Sequence, residues 1–419
     1  MEKLYQLYKQ STGICTDTRK IKPNCLFFAL KGANFDGNKF AKEALDKGAL
    51  AVVIDDEKEY IDNKTILVDD TLKTLQKLAL YHRKQLDIPI LAITGSNGKT
   101  TTKELINAVL SKKYQTAATV GNLNNHIGVP LTLLSFTPKH NFGIVEMGAN
   151  HIGEIALLCE IAEPDFGIIT NIGTAHIEGF GSKEGIIKGK TELYNFLKLN
   201  NGTVFVNYKD AVLKEKAEGI KTIFYNQDEA ELYNSFPNIE FEWKSKKGFS
   251  KLYGAYNFTN ILAAITIGEY FKVANNDILN AIADYTPTNN RSQIETIGTN
   301  TVLIDAYNAN PTSMQAALDT FKAIDKKNKI VILGDMLELG NSSLEEHKNI
   351  LKQLDKAHFN KVYLIGDEFK KASKNEAYVN FKNIEAFNQF LSKNPIRDAY
   401  ILLKGSRGIR LEKCLEYLK

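Results

Sequence analysis

The residues whose types and spacing could do chemistry are densest in 89–103, PILAITGSNGKTTTK. An apolar run over 90–93 ends at Thr94-Gly95, and a short loop, Ser96-Asn97-Gly98, leads Lys99-Thr100 into a helical pattern over 101–110. A strand, a glycine-bearing turn and a helix start aim unpaired backbone N–H groups at phosphate oxygens. Lys99 would add a point charge for the outer phosphates, and Thr100 a hydroxyl for Mg2+. The strict phosphate-loop pattern begins with Gly, and here Ile93 stands in that place. The segment alone therefore also fits an ordinary strand–helix turn.

Other polar residues follow apolar runs. Glu146 closes the run before Met147-Gly-Ala-Asn-His151, where a carboxylate can ligate Mg2+ or pair with a neighbour. His176 ends Thr170-Asn-Ile-Gly-Thr-Ala-His176; imidazole suits Mn2+ or proton handling, but a lone loop histidine is ordinarily only solvated. Lys188 and Lys190 stand at a helix start, Gly185-Ile-Ile-Lys-Gly-Lys-Thr-Glu-Leu193, where surface lysines are the default. The segment 121–130 carries Asn122, Asn124 and Asn125, a polar loop or simply a set of Asx turns. Asp305-Ala-Tyr-Asn-Ala-Asn-Pro311, Gly334-Asp-Met-Leu-Glu-Leu-Gly340 and Lys404-Gly-Ser-Arg-Gly408 each follow an apolar run as well. Three such ends on one edge make a site that faces the nucleotide loop.

The elements needed to position these groups alternate along the chain. Runs at 90–94, 143–147, 166–170 and 203–207 are spaced by helical segments, which predicts a parallel, doubly wound sheet with ligands beyond its carboxyl ends. Residues 226–249 read as a strand meander and 258–271 as a helix. Before this block, 26–30 and 49–54 read as strands, 40–47 and 71–86 as helices, and 32–37 as a turn-rich loop. After it, Thr286-Pro-Thr-Asn-Asn290 is the expected hinge. Strand-like runs at 302–305, 329–333, 361–365 and 400–403 then build a second Rossmann-like unit without GxGxxG, so no dinucleotide is indicated. The expected division is 1–86, 87–286 and 287–419, all α/β.

Composition narrows the classes. The 419 residues are 43% hydrophobic and 24% charged, with a net charge of +4, too balanced to indicate a nucleic-acid surface. Four cysteines without CxxC read as reduced thiols of a cytosolic protein. The start MEKLYQLYKQ is not a signal peptide, and no window approaches a membrane span. A cytoplasmic location is expected.

Taken together the motifs resemble the ATP-dependent Mur ligases of peptidoglycan synthesis over essentially the whole chain. Thr94-Gly-Ser-Asn-Gly-Lys-Thr-Thr101 is similar to that family's phosphate loop, which accounts for Ile93. Glu146-Met-Gly-Ala-Asn-His-Ile-Gly153, His176-Ile-Glu-Gly-Phe-Gly181 and the three later motifs resemble the branch that adds D-alanyl-D-alanine to UDP-N-acetylmuramoyl-tripeptide. The resemblance implies three domains: a UDP-substrate domain, an ATP domain and a C-terminal ligase domain. It implies that Gly95, Ser96, Asn97, Gly98, Lys99, Thr100 and Thr101 hold ATP, with Asn257, Asn260 and Arg291. It implies that Thr100, Glu146, His176 and a carbamylated Lys190 hold Mg2+, two ions with Mn2+ as a substitute. Asp17, Thr18, Arg19, Asn125, Asp305, Tyr307, Asn308, Asn310 and Ser406 would bind substrate. Lys99, Lys190, His176, Lys404 and Arg407 would be catalytic, and the protein a monomer. Two positions depart from the family: Tyr256 stands in Gly254-Ala-Tyr-Asn257, and Asn38 in Asp36-Gly-Asn38, where histidine is usual.

The implied reaction activates the tripeptide carboxylate as an acyl phosphate, which the dipeptide amine then attacks. Two anions must meet, so cations and positioning carry the catalysis. Rival readings are an amino-acid-adding Mur ligase and a nucleotide-dependent switch. A GTPase switch would need NKxD, and neither Asn63-Lys64 nor Asn328-Lys329 continues to the Asp.

Overall fold

The structure is a computed structural model that describes residues 1–288 and 290–419. Three α/β units follow one another. In the first, strands Ile14–Cys15, Leu26–Phe28, Ala51–Ile54 and Thr65–Leu67 form a parallel sheet in that order. Helix Thr71–Leu86 starts on Asp70, whose side chain accepts the Lys73 N–H, and ends where Asp87 turns left-handed at φ 46°. Its buried face carries Leu75, Leu78 and Ala79 into a core shared with the second unit. His82 Nε2 lies 2.9 Å from the Phe136 carbonyl, and Arg83 donates to the Ala162 carbonyl and to Asp165. The first two units therefore share one core, whatever boundary is drawn between them.

The second unit is a six-stranded parallel sheet. Its order is Lys221–Tyr225, Thr203–Asn207, Phe166–Ile169, Ile90–Thr94, Phe142–Glu146, Thr116–Ala118. Ile90 and Ala92 face one core and Leu91 and Ile93 the other, so this strand is buried on both faces and reads as continuous apolar sequence. The meander Ala230–Asn234, Ile239–Trp243, Lys246–Ser250 forms its own antiparallel sheet.

The third unit orders its strands Gln293–Ile297, Asn300–Asp305, Tyr400–Lys404, Lys329–Gly334, Lys361–Ile365, Val379–Phe381, with only the first antiparallel. The expected hinge includes Asn289, which lies outside the described residues. Of its described part, Thr286 Oγ1 accepts from Lys251 Nζ at 3.0 Å.

Several expectations change. The loop at 32–37 contains a hairpin, Lys31–Gly32 with Phe35–Asp36, whose two-residue strands are too short to show a period in sequence. The helix after the phosphate loop begins at Lys99 itself. Lys190 is not at a helix start but in the middle of Lys183–Leu199, where it is buried, while Lys188 is exposed. All four cysteines are buried and free. Among the described residues no helix is long and apolar enough to cross a membrane.

Candidate functional site

Parallel register brings the strand ends of the second unit to one edge, where Ile93 pairs with Glu146 and Thr94 with Ile169. In the third unit Asp305 and Leu333 both pair with Lys404. The two edges face each other across a cavity of about 620 Å³.

The turn 95–98 is shaped by its neighbours. Gly95 has φ 139°, and a Cβ there would lie 2.1 Å from Thr170 Oγ1, so only glycine fits. Thr170 Oγ1 donates to the Asn97 carbonyl at 2.6 Å, the Asn97 N–H donates to Asn171 Oδ1 at 3.0 Å, and Ser96 Oγ accepts the Gly173 N–H at 2.9 Å. Gly98, the N-cap of helix Lys99–Leu110, offers no side-chain acceptor. The first-turn N–H groups of Lys99, Thr100 and Thr101 therefore remain uncapped beside the cavity, an anion-binding arrangement. Lys99 is half-buried rather than on an exposed loop, and its ammonium donates to the Gly95 carbonyl at 2.7 Å. Burial pushes that ammonium below its ordinary range, against the pull of Glu146 and with the push of Arg291.

Glu146 is 2% exposed. Its Oε1 accepts from Asn124 Nδ2 at 2.8 Å, while Oε2 is buried without a protein partner. A buried carboxylate oxygen without a donor is costly unless a cation or donor meets it. With the Thr100 hydroxyl nearby on the same cavity wall, the donor set is hard oxygen, which suits Mg2+.

Lys190 stands just behind the lining. It is 1% exposed, and its Nζ donates to the Ala149 carbonyl at 3.1 Å and lies 5.1 Å from the Phe180 ring centroid. Burial, and after it the Lys99 charge, drive the amine well below its ordinary range, against Glu154 and Glu192. The surface-lysine default therefore fails at 190 and holds at 188. His176 lines the cavity, and its Nδ1 is in contact with the Glu338 carboxylate of the third unit. That contact holds the Glu338 carboxyl below its ordinary value.

The facing edge is cationic. Lys404 Nζ is buried against Asp305 Oδ2 at 2.6 Å and the Asn308 carbonyl at 3.3 Å. The guanidinium carbons of Arg291 and Arg407 lie 3.5 and 5.1 Å from the Tyr307 ring centroid, and Arg291 Nε is buried without a partner. Asn310 Nδ2 donates to Asn97 Oδ1 at 2.7 Å, tying this edge to the phosphate loop. Asn257 Nδ2 donates to Ser292 Oγ, and Asn257 Oδ1 accepts from Asn260. Tyr256, where histidine is usual, places its hydroxyl 3.2 Å from the same Ser292 Oγ.

The expected residues divide clearly. Ser96 to Thr101, Asn125, Glu146, His176, Asn257, Asn260, Arg291, Asp305, Tyr307, Asn308, Lys404 and Arg407 all line the cavity. Ser406 does not. It is buried, its hydroxyl accepting the Leu337 N–H and donating to the Ala309 carbonyl, so its polarity is used inside its own unit. Asp17, Thr18 and Arg19 lie outside the cavity as well. Asp17 caps a short 3-10 turn and holds exposed Arg19 through two side-chain bonds of 2.9 and 2.8 Å. Asn125 lines the cavity, but its Oδ1 accepts from the Ile127 and Gly128 N–H groups, the Asx-turn alternative. Sequence reasoning missed Asn124, which holds Glu146, and Glu338, which meets His176; both stood in motifs already singled out, with no signal to separate them from their neighbours.

Comparison with known proteins agrees along the whole chain. Family profiles match as "Mur ligase family, catalytic domain" over 10–83, "Mur ligase middle domain" over 93–268 and "Mur ligase, glutamate ligase domain" over 290–407. The UDP-N-acetylmuramoyl-tripeptide–D-alanyl-D-alanine ligase of Bacillus subtilis is 34% identical, covering 98% of this chain and 94% of the relative. The crystal structure of MurF from Acinetobacter baumannii superposes with a TM-score of 0.85 at 29% identity, over 99% of this chain and 97% of that one. MurF ligase from Thermotoga maritima in complex with ADP gives 0.85 at 27% identity, over 98% and 97%.

Proposed function

This chain belongs to the Mur ligase family, and from that premise we propose that it joins D-alanyl-D-alanine to UDP-N-acetylmuramoyl-tripeptide with ATP, forming ADP. The observation that carries the reading is one cavity in which an uncapped phosphate loop, an unpartnered Glu146 oxygen and a cationic edge face one another. Such a cavity suits a reaction that brings a carboxylate and a triphosphate together.

The residues divide the work as follows. The N–H groups of 98–101 and Lys99 grip the outer phosphates, and Arg291, with its free Nε, meets the phosphate charge from across the cavity. Asn257 and Asn260 border the nucleoside end. Glu146, Thr100 and His176 would hold Mg2+, whose charge would neutralise the phosphates. Burial, and after it the Lys99 charge, shift Lys190 away from its ammonium form, which favours attack of the amine on CO2: the new C–N bond leaves a carbamate and one proton goes to solvent. That converts a buried base into an anion next to Ala149 of the cavity lining. Asp17, Thr18 and Arg19 would hold the UDP handle in the first unit. The tripeptide carboxylate takes the γ-phosphoryl group, ADP leaves, and the dipeptide amine attacks the acyl carbonyl with release of phosphate. Lys404 and Arg407, held by Asp305 and Tyr307, would offset the charge that develops on the carbonyl oxygen. The enzyme would act as a cytoplasmic monomer.

The test is phosphate release from UDP-N-acetylmuramoyl-tripeptide and ATP with and without D-alanyl-D-alanine, plus the product mass. Dipeptide-dependent release with a product heavier by one dipeptide less water supports the reading. Release that ignores the dipeptide, or that answers to a single amino acid, removes it.

A further inference from the structure

Glu338 has no part in the scheme above, yet its carboxylate crosses from the third unit to the second at the cavity. Its Oε2 meets His176 Nδ1. Both partners are non-glycine residues in left-handed backbone, at φ 63° for Glu338 and 57° for His176. Such conformations carry strain and persist where the surroundings enforce them, and they gather at functional sites. Both residues of the contact, one from each unit, hold this conformation.

The Glu338 side is firmly braced. Asp335 accepts the Glu368 and Phe369 N–H groups at 2.9 Å each, the Met336 N–H donates to His347 Nε2 at 3.1 Å, and the Leu337 N–H donates to Ser406 Oγ at 2.9 Å. Three successive residues are thus fixed before the chain reaches Glu338. This gives Ser406 and buried His347 a purpose: they shape the loop that presents the carboxylate. On the other side, Gly173 is tied to the phosphate loop through Ser96, and Thr174 Oγ1 lies 3.2 Å from Thr312 Oγ1 of the third unit. His176 is therefore carried on a loop already joined to both partners of the cavity.

We propose that Glu338 is a positioning residue: its contact with His176 fixes the imidazole and latches the third unit over the phosphate loop. With Nδ1 taken by Glu338, Nε2 is the ring nitrogen left for the cavity. A carboxylate on the second nitrogen of a ligating histidine sets its ring orientation and tautomer. Because the carboxylate arrives from the other unit, the ring is set only when the units are closed. Closure and the ligating geometry of His176 become one event. The latch between units rests on the contact itself; the ligand role of His176 and the kinetic arm rest on the ligase reading.

The test compares the wild type with Glu338→Ala, Glu338→Gln, His176→Ala and the double variant Glu338→Ala/His176→Ala. Small-angle scattering in saturating ADP and Mg2+ reads closure without turnover. The latch predicts a larger radius of gyration for Glu338→Ala than for the wild type, with Glu338→Gln between them. In the ligase assay Glu338→Ala loses about 10–100-fold in kcat, the range typical of a residue behind a ligand. The KM for the UDP substrate stays within about twofold, and the Mg2+ concentration for half-activation rises. The double variant falls no further than His176→Ala, since both changes remove one device. Unchanged scattering together with unchanged Mg2+ dependence in Glu338→Ala overturns the latch, as do losses that multiply in the double variant. A wild type that compacts with nucleotide but shows no dipeptide-dependent turnover defeats the ligase reading and leaves the scattering arm to judge the latch.

Discussion

Lys190→Ala separates a structural lysine from a carbamylated one. The side chain is 1% exposed and makes one hydrogen bond, to the Ala149 carbonyl. Alanine removes three buried methylenes, a loss of about 2 kcal/mol at roughly 0.8 kcal/mol each. A fold of this size should absorb that with a Tm lower by a few degrees. The effect on activity should be far larger. At about 4 Å and an effective dielectric near 20, an ammonium and a unit positive charge repel by about 4 kcal/mol, and an anion gains the same amount. Replacing the anion by a methyl group therefore removes several kcal/mol of stabilisation, so kcat should fall on the order of 10²–10³-fold, as when a preorganised charge-stabilising group is deleted. Acetate or formate at tens of millimolar should restore part of the rate by filling the vacated anion position. Lys188→Ala is the control: it is exposed and lies about 200° around the helix. Initial-rate assays with a carboxylate titration, and thermal melts of each variant, make the measurement. Activity of Lys190→Ala within about tenfold of wild type, about 1.4 kcal/mol of barrier, refutes the carbamate assignment. So does acetate rescue of Lys188→Ala.

Three further predictions follow from named contacts. Lys99→Ala should leave the protein folded and reduce turnover by more than 100-fold; a loss under about tenfold, or 1.4 kcal/mol, removes the phosphate-loop assignment. Asp17→Ala or Arg19→Ala should raise the KM for the UDP substrate and leave that for ATP nearly unchanged, because both lie outside the cavity; equal shifts in both constants contradict the division of labour between units. Asn38→Ala should cost about 3 kcal/mol at pH 7, about 1 kcal/mol for each of three side-chain bonds. Burial would raise the Asp55 carboxyl, but Lys31, the Thr71 N–H and Asn38 together hold it below its ordinary value. A carboxylate held low stabilises the fold above its unfolded value near 4, and that contribution is lost as pH falls through the folded value. The penalty of Asn38→Ala should therefore shrink between pH 7 and pH 3, and thermal melts showing a constant penalty rule out the Asp55 linkage.

Asn38 shows how a residue opaque in sequence becomes plain in the fold. Where histidine is usual, this amide is fully buried and spends two donors on Asp36 and Asp55 and its acceptor on the Asp55 N–H. Tyr256 is similar: its phenol reaches Ser292, beside Arg291, which no local pattern predicts. Lys190 is the clearest case. One more lysine in a chain with 53 Lys+Arg reads as a surface charge, and only the packing of helix Lys183–Leu199 against Phe180 and Ala149 buries it.

The sequence by itself determined the alternation of apolar runs with helical segments, the strand–turn–helix at 90–110 with its glycine-bearing turn, and the polar strand ends at Glu146, Asp305 and Lys404. These are local: a strand buried on both faces is continuously apolar, and a ligand edge must turn polar where the strand stops. Tertiary structure alone decided which polar groups meet. The pairing of Glu338 with His176, of Asn310 with Asn97 and of Asn124 with Glu146 joins residues 162, 213 and 22 positions apart. The withdrawal of Ser406 and of Asp17 from the cavity belongs to the same level. Periodicity reports which face of an element is buried, but carries no information about which other element's polar end lies opposite, because sheet order and unit closure set that distance.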